Sequence, residues 1–243
     1  MAPFIGVALA LAGQRELSLE GPAEPVGAFS RALGALLVES VDNAMFQNLS
    51  PLAVEVLAGP DQADDPGRFL NALLIARVPL FFFQAVQASL LPRLSALVGA
   101  GRFDELVHVY RRLLGLVVGI GGVAVAFCAL FGARIVELAF GADFAVERQD
   151  MVLLAGSSAV LMVALSFAQA LMAGRAQGRR ALAWGLGVAA FPLVVALGDD
   201  LFLRVELGLL ATVSVAAGSM AALLIARQRS PDRWSPTERR TTS

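Results

Sequence analysis

A long run of residues, from Leu113 to Gly132, contains no charged side chain. Its length matches the roughly 20 helical residues that cross the hydrocarbon core of a bilayer, which is about 30 Å thick. The rest of the chain has the same character, since 57% of its 243 residues are hydrophobic, 16% are charged and the mean hydropathy is +0.71. Such values exclude a soluble globular domain. The sequence therefore predicts an all-α fold, a polytopic bundle of membrane helices.

Several stretches of the chain are apolar over a length sufficient for a membrane helix. The first is the least apolar of them, and the third contains the uncharged run. They cover residues 31–57, 69–92, 110–131, 151–173, 181–198 and 205–227. We therefore predict six membrane helices within residues 29–227.

The charges of the connections between these stretches alternate in sign along the chain. The connections after the first, third and fifth stretches are net negative, and those after the second and fourth are net positive. Because arginine-rich connections stay in the cytoplasm, the negative ones are assigned to the outer side. Five arginines and two acids follow Ala226. We therefore expect a multi-pass protein of the plasma membrane with a cytoplasmic C-terminus.

Several kinds of chemistry are excluded by residue types that the chain lacks or has only once. All 19 basic residues are arginine, so the Gly-Lys-Ser/Thr loop that binds nucleotide phosphates cannot form. His108 is the only histidine and Cys128 is the only cysteine. An intrachain disulfide and the usual histidine or cysteine zinc clusters are thereby excluded. We expect no enzyme activity, no catalytic residues, no cofactor and no metal.

Short motifs follow one another in an order that resembles a known family. They are Arg77-Val-Pro79, the stretch from Gln84 to Ser95 that ends in Leu-Pro-Arg-Leu-Ser, a loop at 101–105, and Phe-Gly pairs at 131–132 and 140–141. This order resembles the C-terminal half of polysaccharide or lipid-linked oligosaccharide flippases of the multidrug/oligosaccharidyl-lipid/polysaccharide superfamily, which are MATE-like. The resemblance covers most of residues 29–227.

The resemblance implies a fold and an activity. Such transporters have two six-helix lobes around a central cavity, and residues 29–227 would form one lobe. The implied function is translocation of polyprenyl-diphosphate-linked saccharide by alternating access, for cell-surface polysaccharide biosynthesis. The expected partners are the lipid-linked oligosaccharide, membrane lipids, and either a second six-helix half or a second copy; no nucleic acid is expected. The alternatives are a multidrug or cation antiporter of the same fold, and a non-transporting half-protein or fragment.

The two ends of the chain lie outside this lobe. Residues 1–13 are apolar but too short to span, so we predict the remnant of a preceding transmembrane helix in a truncated chain. A cleaved signal peptide is the alternative. Residues 14–28 are then expected to form a cytoplasmic connector, and residues 228–243 a disordered cytoplasmic tail.

The first predicted span carries polar side chains along one face. They recur at helical spacing, and Asp42 lies at the edge of the stripe. Because acids are costly in hydrocarbon, this face is expected to line a cavity. Glu39 and Asp42 are candidate ion-coupling residues. Asn43 and Gln47 are candidate substrate-binding residues, and the alternative is that all four only form hydrogen bonds between helices.

The second predicted span contains an arginine, Arg77. Placing arginine at the centre of a membrane helix costs roughly 2.5–3.5 kcal/mol on insertion scales, so its presence indicates a ligand or a wet cavity. Gln84 shares its helical face and Gln87 lies about 80° round the helix. A guanidinium donates two parallel hydrogen bonds to phosphate oxygens. We therefore assign Arg77, Gln84 and Gln87 as candidate substrate-binding residues, with Arg77 on the diphosphate.

Two further expectations concern the same span. Arg77 could instead pair with Glu39 or Asp42 and only orient helices, so the ion pair stands as the alternative to diphosphate binding. Pro79 lacks an N–H and its ring clashes with the preceding turn, which predicts a kink at this place. Neighbouring helices can satisfy the carbonyl that the kink frees.

Overall fold

The computed structural model of the chain describes residues 48–84, 102–173 and 177–228, together with the isolated positions 27, 30, 34, 96, 99 and 100. The chain divides into two compact units, Met1–Leu37 and Val38–Ser243. Almost all described residues belong to the second unit. Its described part is helical and contains no β-strand, so the predicted all-α class is confirmed.

The first three described helices are short and are separated by breaks. Helix α1 covers Asn48–Leu57, α2 covers Asp65–Ala76 and α3 covers Val78–Gln84. The axes of α2 and α3 differ by 44°. Pro79 follows the break by two residues and cannot donate to the carbonyl four residues before it, which explains the bend. The predicted kink in this span is confirmed.

The next helical segment extends further than the predicted span 110–131. Helix α4 covers Phe103–Phe127, a π-helical segment covers Cys128–Gly132, and α5 covers Ala133–Phe140. The three run on as one continuous apolar span, Val107–Phe140. It ends at Gly141, whose φ of 104° is one that glycine adopts without strain. The predicted end at residue 131 was therefore wrong by nine residues, from 131 to 140.

Three helices form the rest of the bundle. Helix α6 covers Arg148–Ala173, α7 covers Gln177–Val195 and α8 covers Leu201–Gln228. The most extensive contacts in the described chain are those of α8 with α7 and with α6. Helix α8 therefore lies at the centre of this packing.

A glycine allows α7 and α8 to approach closely. A Cβ added at Gly187 would lie 2.5 Å from the carbonyl oxygen of Thr212 and 3.1 Å from Cβ of Ala216. Small residues at helix crossings are typical of membrane bundles, where close backbone approach increases van der Waals contact. The α7–α8 crossing therefore requires glycine at position 187.

Among the described residues, three helices are long and apolar enough to cross a membrane: Val107–Phe140, Arg148–Leu171 and Leu201–Ala226. The bent pair α2 and α3 makes a fourth if it is one span. Helix α7 coincides with the predicted fifth stretch but is not among these three, and it begins beside Arg179 and Arg180. The described chain has the helices of a membrane protein, whereas the six-helix lobe stays a prediction.

The core of the second unit lies between α2, α6 and α8. Phe69 and Met151 are completely buried there, and the rings of Phe69 and Phe202 meet edge to face with centroids 5.5 Å apart. Met220 is completely buried in a smaller cluster with Leu171 and Ala183. Large apolar side chains also point outward, and those of Phe82 and Val123 are 72% and 71% exposed. Such outward apolar surface suits helices whose solvent is lipid.

The predictions for the two chain ends concern residues that lie almost entirely outside the described part of the structure. The remnant helix at 1–13, the connector at 14–28 and the tail at 228–243 lie outside the described residues, apart from positions 27 and 228. These three assignments stay predictions. So does the first half of the first predicted span, residues 31–47, of which only position 34 is described.

Candidate functional site

An acidic pocket of about 430 Å³ lies where three connections of the chain meet. Its lining comes from the start of α2, the segment before and at the start of α6, and the start of α8. The residues are Gln62, Asp65, Arg68, Glu147, Gln149, Asp150, Asp200, Leu201, Phe202 and Leu203. These belong to the three connections with net negative charge. The structure thus brings together the connections that the charge pattern assigns to one side of the membrane.

Arg68 joins two of the three connections. Its Nε donates a hydrogen bond of 3.1 Å to the carbonyl oxygen of Ala145, and its Nη2 donates to the same oxygen. Its Nη1 lies 3.1 Å from Oδ1 of Asp65, one turn earlier on α2. With two of its nitrogens on a carbonyl and the third on a carboxylate, Arg68 is held in place and fixes the start of α2 against the segment before α6.

Two of the pocket's acids cap helices. An oxygen of Asp150 accepts a hydrogen bond of 2.8 Å from the backbone N–H of Glu147, at the start of α6. An oxygen of Asp200 accepts one of 2.8 Å from the N–H of Leu203, in the first turn of α8. Carboxylates at these positions satisfy free amide groups and interact favourably with the helix dipole. Asp150 and Asp200 therefore have a structural role whatever else the pocket does.

A further acid, Glu206, lies one helical turn beyond the pocket. Phe202 and Leu203, four and three residues before it, line the pocket and share its face of α8. Glu206 is completely buried, and neither carboxylate oxygen has a hydrogen-bond partner within the described chain. Burying an ionised carboxylate costs several kcal/mol unless it is paired. Glu206 is thus an unpaired, buried acid in a helix that is long and apolar enough to cross a membrane.

The acids of the pocket increase the energetic cost of a negative charge at Glu206. Asp150, Asp200 and Glu147 lie near enough to act on a negative charge at Glu206. Asp150 is itself only 9% exposed, although it lines the pocket. The arrangement places one buried acid behind a group of partly hydrated ones, which is an arrangement that can bind and release a positive charge.

Glu206 could have been identified as a candidate from the sequence. Residue 206 falls within the predicted span 205–227, but its charge was attributed to the preceding connection. An acid inside an apolar helix is a functional candidate in its own right. Which acids meet in the pocket depends on packing between α2, α6 and α8, and no spacing within one helix shows it.

The predicted diphosphate-binding residue, Arg77, lies at the break between α2 and α3. Its backbone N–H donates to the carbonyl oxygen of Leu73 at 3.0 Å, and its own carbonyl accepts from the N–H of Leu80 at 2.9 Å. The side chain is half-buried. Arg77 thus lies in a discontinuous helix, away from the pocket lining. Discontinuous helices of this kind commonly form the binding sites of transporters.

The other predicted site residues are described only in part. Gln84 is exposed at the end of the described part of α3. Because α2 and α3 are bent by 44°, the seven-residue spacing alone no longer places Gln84 on the same face as Arg77. Gln87, Glu39, Asp42, Asn43 and Gln47 lie outside the described residues, so their roles stay predictions.

The described part of the chain contains no group of three or more histidine, cysteine or acidic residues that could hold a metal ion. The acids of the pocket therefore do not form a ready metal cage. Cys128 is a buried free thiol.

No protein-family model matches the sequence, and neither a curated protein nor a solved structure matches the chain.

Proposed function

We propose that the protein is a transporter lobe that moves polyprenyl-diphosphate-linked saccharide across the plasma membrane by alternating access, for the synthesis of cell-surface polysaccharide. The observation that carries the proposal is the half-buried Arg77 at the 44° break between two apolar helices. Substrate sites of secondary transporters are commonly built from such discontinuous helices. The motif order around Arg77 supports the choice of substrate class.

The chemistry of Arg77 suits a diphosphate. Its guanidinium keeps its charge in a buried place and donates hydrogen bonds in a planar fork. A diphosphate offers several oxygens in a matching geometry and two or more negative charges.

The proposal requires a second wall for the cavity. In two-lobe transporters the substrate lies between two repeats. The second wall would come from a second six-helix half or from a second copy of this chain. In this proposal the C-terminus lies in the cytoplasm and the acidic pocket lies outside, an orientation that the negative charge of all three pocket-forming connections supports.

The experiment that tests the proposal measures binding and flipping with the purified chain in liposomes. A fluorescent polyprenyl-diphosphate saccharide is the probe. Arg77→Ala is expected to weaken binding of the probe at least about tenfold, the loss of one charge-assisted pair. Arg134→Ala is the control, because Arg134 is an exposed arginine in a surface ion pair with Glu137 at 2.8 Å. Binding by the Arg77 variant equal to that of wild type would end the proposal.

A cation antiporter of the same fold is the second candidate. The observation in its favour is the acidic pocket with the buried Glu206 behind it. A cationic drug that binds the chain and competes with the lipid-linked probe would favour the antiporter. A probe with a diphosphate head but no sugar that binds as well as the full probe would favour diphosphate recognition.

A further inference from the structure

Glu206 needs a partner that the described chain does not give it. It is 0% exposed, and both carboxylate oxygens lack a hydrogen-bond partner. An unpaired buried carboxylate loses its hydration and gains nothing in return. Such a group is stable when it binds a proton or a metal cation, since either one removes the net charge.

The charged groups on the helices that pack against α8 also favour a bound proton or cation at Glu206. Helix α6 presents acids, and α8 itself presents Asp200. Helix α2, which meets α8 through the Phe69–Phe202 ring contact, presents an acid and an arginine that acts on Asp150. Glu147 and Asp150 on the α6 side and Asp200 on the α8 side act on Glu206. Asp65 and Arg68 of α2 line the pocket, and Arg204 lies near Glu206 in the sequence of α8.

The positive charges among these groups do not pair with Glu206, whose carboxylate oxygens have no hydrogen-bond partner. Arg68 is bound to Asp65 and to the carbonyl oxygen of Ala145. Arg204 lies two residues before Glu206, which places it on roughly the opposite side of α8. The described arginines of α7, at 179 and 180, lie at the far end of that helix from the pocket, since α7 ends at Val195 beside it. Acids therefore dominate the surroundings of Glu206.

A proton fits this position better than a metal ion. Metal cations of the hard type need about six oxygen ligands in a cage. The described residues offer no group of three acidic, histidine or cysteine side chains arranged to hold a metal. A proton needs only one oxygen, and it removes the charge of the carboxylate.

We propose that Glu206 is a proton-binding site that exchanges protons with the acidic pocket one helical turn away. A hydronium ion that enters from the pocket gives its proton to the Glu206 carboxylate and leaves as water. Release runs in reverse, leaving a carboxylate at Glu206 and hydronium in the pocket. The site is separate from Arg77, and it does not depend on the substrate proposed above.

The two protonation states have different consequences for α8. With its proton, Glu206 is neutral and α8 packs against α6 and α7. Without it, a buried negative charge faces Asp150 and Asp200, and repulsion favours movement of the first turns of α8 away from α6. The proton content of Glu206 is thus linked to the packing of the central helix of the bundle.

Infrared difference spectroscopy on the full chain in lipid nanodiscs tests the proposal. A protonated buried carboxyl has a carbonyl absorption that is distinct from that of carboxylates. We expect the wild-type protein to show this band at pH 7 and to lose it as the pH is raised. Glu206→Gln should remove the band and keep the fold, because glutamine resembles the neutral carboxyl in shape. Glu137→Gln, which changes a glutamate in a surface ion pair, should leave the band in place.

Exchange with the pocket has its own readout in the same experiment. In heavy water the band should shift as the proton of Glu206 is replaced by deuterium.

Three outcomes overturn the proposal. The first is a wild-type protein without the band, and the second is a band that persists in Glu206→Gln. The third is a wild-type spectrum that responds to sodium ions at constant pH rather than to pH, which would make Glu206 a metal site. Because the first and third outcomes need only the wild-type chain, a variant that fails to fold does not protect the proposal.

Discussion

The guanidinium of Arg68 donates a hydrogen bond to the carbonyl oxygen of Ala145, 77 residues later in the chain. This contact joins the start of α2 to the segment that leads into α6, and Asp65 holds the guanidinium from its other side. The bond encloses one wall of the acidic pocket. A single side chain thus joins two parts of the pocket lining that are far apart in sequence.

Loss of Arg68 is expected to weaken this end of the bundle. Arg68→Ala should lower the free energy of unfolding by about 1–2 kcal/mol, since hydrogen bonds to charged groups contribute about 1.5–3 kcal/mol and partial exposure reduces that figure. Denaturation of the purified protein in mixed detergent measures the change. Arg134→Ala removes an exposed ion pair and should cost at most about 0.5 kcal/mol. Equal effects of the two substitutions would contradict the role given to Arg68.

The crossing of α7 and α8 gives a prediction with a control in the same helix. Gly187→Ala would place a Cβ 2.5 Å from the carbonyl oxygen of Thr212, so the helices must separate. Overpacking of this kind costs about 1–3 kcal/mol. Gly185→Ala meets no described atom within 4 Å and should stabilise α7 by up to about 1 kcal/mol. Thermal unfolding of both variants tests the pair, and a Gly187→Ala protein as stable as wild type would show that the crossing is looser.

Pro79 is expected to hold the bend beside Arg77. Pro79→Ala restores an amide donor and removes the ring, so the 44° bend should decrease. Spin labels at the exposed positions Leu70 on α2 and Phe82 on α3 report the distance between the helices. In a Cys128→Ser background with both positions changed to cysteine, we expect a longer distance in the Pro79→Ala variant. An unchanged distance would assign the bend to packing instead.

The extent of the helices was predictable where one property dominates. The uncharged run from Leu113 predicted a membrane helix, and α4 together with the π-helical segment after it contains the run. Its continuation to Phe140 was missed because Arg134 and Glu137 resemble the charges of a loop. In the structure they form an i,i+3 ion pair at 2.8 Å on the helix surface, and Val136 between them is completely buried. A short charged helix with one buried face is difficult to distinguish from a connection by hydropathy.

The acidic pocket was predictable as a side of the membrane but not as a site. The alternation of charge assigned the three negative connections to one side of the membrane, because that rule needs only the charge of each connection. The burial of Glu206 depends on which face of α8 meets α6, a property of the tertiary packing. The spacing of apolar residues along α8 does not show which face meets α6, because α8 is apolar nearly all round.

Removal of the buried acid is expected to stabilise the bundle. Glu206→Met keeps the length of the side chain and replaces two unpartnered oxygens by an apolar group. An unsatisfied buried polar group costs about 1–3 kcal/mol, so the free energy of unfolding should rise by that amount. Glu137→Met, at a partly exposed glutamate, should change it by less than about 0.5 kcal/mol. A destabilised Glu206→Met protein would show that Glu206 has a favourable partner, and would weaken its assignment as a proton site.

The shared pocket makes a prediction about the sides of the membrane. Asp61, Asp143 and Asp199 are exposed, one in each of the three negative connections. In a Cys128→Ser background, a single cysteine at each position should react with a membrane-impermeant maleimide in intact cells. Cysteines at Arg102 and Arg179, in the positive connections, should react only after the cells are opened.

The pattern of labelling separates the packing from the orientation. Because the three acidic connections line one pocket, their cysteines must share a side whichever side that is. Labelling of only one or two of the three in intact cells would contradict the arrangement of α2, α6 and α8 around the pocket. Labelling of all three only after the cells are opened would keep the arrangement and reverse the orientation. Glu206 would then exchange its proton with the cytoplasm rather than with the outside.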